Sequence, residues 1–104
     1  MKKIVLLATL VVISFPFFAA TADANTIKRA CMKSDRAGVN SALCGCIQKA
    51  ADATLTRRDQ QLASKFFADP HMSQEVRQSD RESHEIFWQK YKNFGQTAQA
   101  YCGY

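Results

Sequence analysis

The sequence predicts an all-α fold: a small disulfide-stapled bundle of four to five helices behind an N-terminal signal peptide. Three observations predict it. Beyond residue 24 the chain is rich in Ala, Gln, Lys and Arg, which are strong helix formers. Apolar residues there recur every three or four positions, and the alternating apolar/polar runs of a half-buried strand are missing from the pattern. All four cysteines, Cys31, Cys44, Cys46 and Cys102, lie in this same part. An even cysteine count in a short exported chain reads as a disulfide framework.

The chain opens MKKIVLLATLVVISFPFFAATADA. Lys2 and Lys3 form a basic start, residues 4–20 an apolar run, and Ala22 and Ala24 an A-x-A cleavage site. That order is the plan of a secretory signal peptide, cut after Ala24 or, as the alternative, after Ala22. The run is near the short limit for a bilayer span and lacks basic stop-transfer residues behind it. No cysteine stands at the cut to take a lipid, and no later segment is apolar enough to span a membrane. The expectation is one domain, residues 25–104, in the periplasm or secreted.

Within that domain the first helix is expected over 26–34, with Asn25 as cap and Ile27, Ala30 and Cys31 on one side. The DRAGVNS segment makes a turn in which Gly38 takes the left-handed conformation and Asn40 or Ser41 caps the next helix. That helix covers 42–55, with Leu43, Ile47, Ala50, Ala51 and Thr54 sharing a face and Lys49 and Asp52 pointing away. Thr56 and Asp59 form a capping box for the third helix, 57–68, which buries Leu62, Ala63, Phe66 and Phe67. Asp69 caps a short fourth helix with Pro70 at its first position. It ends near Gln78, where Ser79 to Glu82 form a second capping box and a long helix starts at Asp80. Its stripe is Ile86 or Phe87, Tyr91, Phe94, Ala98 and Tyr101 or Cys102. Gly95 loosens the last turns, and Gly103 stands at the C-cap.

The segment SALCGCIQKAAD carries the chemistry question. Side chains two apart on a helix differ by about 200° around its axis, so Cys44 and Cys46 diverge. They fall on opposite shoulders of the Leu43/Ile47 stripe and face different neighbours. Cys31 and Cys44 are equally far from the turn, which favours Cys31–Cys44 with Cys46–Cys102. Cys31–Cys46 with Cys44–Cys102 stays open, and a Cys44–Cys46 bridge requires the helix to unwind. The functional alternative is a thiol–disulfide redox or metal-binding pair at Cys44/Cys46, near a helix start.

Catalytic groups are not indicated. The chain has no HExxH, no phosphate-cradling glycine loop and no CxxCH, and nothing in it calls for a cofactor or a metal. Ser79, Asp80, Ser83 and His84 share a local face without oxyanion donors. His84 is placed one turn from Asp80 as a surface pair, and His71 is exposed beside Pro70. The chain holds 14 basic and 9 acidic residues; losing Lys2, Lys3 and Asp23 leaves 12 and 8, a net charge of +4. The basic residues are scattered, which suits solubility and an anionic or protein partner in the periplasm, not nucleic acid. Arg77 and Arg81 one turn apart, with Trp88 and then Lys92, mark the expected contact surface on the long helix. Trp88 lies at the edge of the core stripe, where core or edge packing is favoured and an exposed aromatic anchor is the alternative.

RACMKSDR, ALCGCIQKAADATL, FFADPH, EVRQSDRESHEIFWQKYKNFG and the final AYC occur in this order over nearly all of residues 25–104. Together they resemble a family of small exported bacterial proteins of unknown function, whose members carry the label arginine transporter. The resemblance implies no catalytic residue. A transporter needs several spanning helices, so for this chain it implies at most an accessory component of an amino-acid transport system. The reading from the residues is a periplasmic binding or accessory module without catalysis.

Overall fold

The computed structural model describes residues 25–36 and 38–104; the segment read as a signal peptide, 1–24, lies outside the described residues. Five helices follow one another: α1 Thr26–Lys33, α2 Ser41–Thr54, α3 Arg57–Ala68, α4 Pro70–Arg77 and α5 Glu82–Cys102. Among the described residues there are no strands. α2 lies against both α1 and α5, while α3 lies against α1 and α4, and α4 returns to α5.

Local chemistry sets most of these boundaries. Asn40 Oδ1 accepts the Leu43 amide at 2.8 Å, satisfying one of the free N–H groups at the start of α2. Thr56 and Asp59 complete the reciprocal capping box of α3. Gly38 has φ +81° in the turn before α2, and Gly103 has φ +65° at the end of α5. A side chain is strained in that region, and glycine is not.

Five details differ from the sequence expectation. Asn25 gives α1 no side-chain cap. Asp69 gives α4 no side-chain cap, because it is also the last turn of α3, its N–H donating to Lys65. The Ser79/Glu82 box does not form: α5 begins at Glu82 with Arg81 as its cap position. Ser79 Oγ instead accepts the Arg81 amide at 3.2 Å and lies 2.7 Å from His84 Nδ1, so the partner of His84 is Ser79, not Asp80. Gly95 leaves α5 unbroken to Cys102. On the stripe, Phe87, Phe94 and Ala98 are buried, whereas Ile86 is 52 % and Tyr101 61 % exposed.

The core joins Ile27 and Cys31 of α1, Cys44, Ile47, Ala50 and Ala51 of α2 with Leu55 at its C-cap, Ala63 and Phe66 of α3, Val76 of α4 and the α5 stripe. Small residues at Ala50, Ala51, Ala63 and Ala98, all fully buried, let the backbones approach closely. Phe66 reaches α5, meeting Phe87 and Tyr91 edge-on with centroids 5.9 and 5.2 Å away. Such rings contribute beyond their burial through edge-to-face electrostatics.

Both staples have the expected connectivity. Cys31 joins Cys44, with Cα atoms 5.6 Å apart, and Cys46 joins Cys102 at 5.8 Å. Two residues on either side of one glycine thus tie α2 to α1 and to α5.

Candidate ligand cleft

The turn between α1 and α2, the end of α3 and the second half of α5 enclose a cleft of about 280 Å³. Val39, Leu43 and Ile47 form one apolar wall, and Phe67, Tyr91 and Phe94 form the other. Gly95 opens part of the second wall: a Cβ built there meets no atom within 4 Å. Cys31 also lines the cleft, so the Cys31–Cys44 bridge is part of its structure. Arg36 and Tyr104 stand among the lining residues and bring it a cation and a phenol.

The Arg36 guanidinium lies over the Phe67 ring, 5.6 Å from its centroid. A cation on an aromatic face is favourable, by about 0.5–1 kcal/mol at an exposed site. No carboxylate among the described residues pairs with it; Asp59 is engaged by Lys90 and Glu75 by His71. Burial pushes the Tyr91 phenol above its ordinary value; the Arg36 charge pulls it back, and the Tyr104 phenol adds to the rise. The three groups therefore share one electrostatic neighbourhood.

The surface expected on the long helix comes together only in part. Arg77 and Trp88 line a shallow groove of about 430 Å³ with Glu85, Ile86 and Gln89. Arg81 and Lys92 are exposed and do not line it. The helix break between α4 and α5 separates Arg77 from Arg81, so they are not one turn apart on a common face. Trp88 is half-buried, tilted against Tyr91 with centroids 5.3 Å apart, and so packs at the edge of the core stripe and is not an exposed anchor. A third hollow, about 380 Å³, lies between α1 and α3 beside Arg29 and Lys33, and its Thr26 and Arg29 already have partners.

Cys44 is fully buried, and no described cysteine is free. Among the described residues no three His, Cys, Asp or Glu side chains converge as metal ligands. His71 is exposed, 3.3 Å from Glu75. No described helix is long and apolar enough to cross a membrane.

Arg36, Val39, Tyr104 and Phe67 were not singled out as a site by the sequence, because they come from segments far apart along the chain. Gly95 carried the one available signal. A glycine inside a helix costs about 1 kcal/mol relative to alanine, so its presence asks for a reason.

Compared with protein-family models, with curated proteins and with solved structures, the chain matches none.

Proposed function

We propose that this chain is an exported, non-catalytic binding module that holds a small molecule in the cleft between the α1–α2 turn, α3 and α5. One observation carries the reading: an apolar cleft with a few polar groups at its edge, built on elements that two disulfides hold together. Concave apolar sites with a small number of oriented polar groups are the usual form of small-molecule sites. Two disulfides suit an oxidising compartment, in keeping with the periplasmic or secreted destination read from residues 1–24. A redox or metal-binding role for Cys44 and Cys46 ranks below this, since each is bonded to a different partner.

The test is native mass spectrometry of protein recovered gently from the exported fraction. Wild-type protein is expected to carry a non-covalent mass that unfolding releases, and Gly95→Leu, which fills the cleft, to be bare. Equal spectra from the two proteins would count against the reading.

Docking to a protein partner is the second reading, and includes the accessory transport role that the resemblance implies. It is favoured by the exposed Ile86 beside Trp88 and Arg77. Crosslinking from residue 89 in living cells, lost in Ile86→Asp but kept in Gly95→Leu, is the outcome it requires.

A further inference from the structure

We infer that the cleft takes a small carboxylate with an apolar tail, its anionic head at Arg36 and its tail between Leu43, Ile47 and Phe94. The inference rests on the cleft-binding reading and adds the chemical class of the ligand.

The head follows from Arg36. Its guanidinium is a planar fork that matches a carboxylate with two parallel hydrogen bonds. It rests on Phe67 at the cleft, and none of the chain's described carboxylates occupies it. A cation placed by an aromatic ring and left without a counter-ion is complementary to an anion. The Tyr91 and Tyr104 phenols line the same cleft and have no hydrogen-bond partners among the described residues. Each is a donor for a carboxylate oxygen.

The tail follows from the walls. Apart from Arg36, the two phenols, Ser34, whose hydroxyl donates to the Cys31 carbonyl, and the bridged Cys31, the lining is aliphatic and aromatic, and it has no acidic side chain to recognise a cationic group. A volume of about 280 Å³ equals roughly nine water-sized volumes at ~30 Å³ each. That admits a ligand of about nine or ten non-hydrogen atoms, such as a medium-chain or aryl-acetic acid. Gly95 is a lining residue at which a Cβ would meet no atom within 4 Å, so the absence of a side chain leaves room for the tail.

The experiment is calorimetric titration of the full oxidised protein with octanoate, octanamide and octylammonium, which share a tail and differ in head charge. Octanoate is expected to bind at least about tenfold tighter than octanamide, the usual gain from a charge-assisted contact, and octylammonium more weakly still. Arg36→Gln should remove the octanoate advantage while leaving octanamide unchanged. Gly95→Leu should abolish binding of both with an unchanged helical spectrum, and Gly95→Ala should retain it in reduced form. Three octyl probes of equal affinity, all blocked by Gly95→Leu, would overturn the carboxylate class while leaving the cleft-binding reading standing. Hexadecanoate binding at least tenfold tighter than octanoate would overturn the size limit and identify a lipid acid as the ligand. Binding that survives Gly95→Leu, or no saturable binding of any probe, overturns the inference outright; the co-purified mass then decides the broader reading separately.

Discussion

Gln48 of α2 and Gln60 of α3 are joined side chain to side chain at 2.8 Å in the interior. Gln48 Oε1 also accepts the backbone N–H groups of Ile27 and Lys28, at 2.8 and 2.9 Å. These are two of the free donors in the first turn of α1, which Asn25 leaves uncapped. α1 is therefore capped from another helix. Two donors facing Oε1 fix the orientation of the amide, and Nε2 is left to serve Gln60 and Asp52. Gln60 Nε2 closes the network on Asp52 and the Leu55 carbonyl. Every buried side-chain polar atom among the described residues has a partner.

Gln48→Leu keeps the volume and removes all four bonds. Buried groups left without partners cost about 1–3 kcal/mol each, so a loss of about 3 kcal/mol is expected in urea unfolding. Lys49→Ala, on the exposed face beside it, should stay within about 0.5 kcal/mol. Equal effects from the two would remove the capping role.

The two disulfides should differ in their contributions. Cys31–Cys44 closes a loop with a sequence separation of 13, and Cys46–Cys102 one of 56. Loop-closure entropy gives about 3 kcal/mol for the first and about 4 kcal/mol for the second. Cys46→Ser with Cys102→Ser is expected to lower the melting temperature further. Cys31→Ser with Cys44→Ser is expected to weaken cleft binding more, since that bridge holds the turn carrying Arg36.

Asp59 predicts a pH dependence. Burial raises its carboxyl pKa, but hydrogen bonds from Thr56 and Lys90 and the Lys90 charge more than offset this, leaving it below the ordinary aspartate value. Lys90 Nζ is 3.2 Å from Asp59 Oδ2. A carboxyl held lower in the folded than in the unfolded chain stabilises above its unfolded pKa, about 3.9, and the gain is lost as pH falls through the folded value. Melting temperature should drop between about pH 5 and pH 3 in wild type, and less steeply in Asp59→Asn. The same substitution should cost about 1 kcal/mol at neutral pH through the capping box.

Tyr91 gives the opposite sign. Its phenol is raised, so its contribution is complete below about pH 10 and is lost as pH climbs through the folded value. Because Arg36 lowers it, Arg36→Gln should move the Tyr91 titration higher still. Ring-carbon NMR shifts of labelled tyrosine measure this, and an unchanged or lower value would separate Arg36 from the cleft.

Gly95→Ala should stabilise the chain by about 0.5–1 kcal/mol, since glycine is costly within a helix and a Cβ at this position meets nothing within 4 Å. A gain of that size, read by chemical denaturation, would show that glycine is kept for something other than folding.

Features governed by neighbours along the chain were legible in the sequence. The Thr56/Asp59 box, the Asn40 cap and the Gly38 turn follow from spacing within a few turns; symmetry about that turn favoured Cys31–Cys44, and with it Cys46–Cys102 across 56 residues, but left the swapped pairing open. Gln48 was not legible: a glutamine on a helix reads as surface, and its partners at Ile27 and Lys28 lie 21 and 20 residues away. Ser79 offered two local bonds, and the sequence pattern did not distinguish capping Glu82 from turning back to Arg81. The cleft was illegible for the same reason as Gln48, being assembled where separate segments meet.

The Cys46–Cys102 bridge makes residues 46–102 a closed covalent ring containing α3, α4 and α5. A protease that cuts once at the exposed 78–81 turn opens the ring without releasing a fragment. The nicked product migrates near the intact chain until a reductant is added, so release of a piece from within this ring requires either two cuts or a thiol donor.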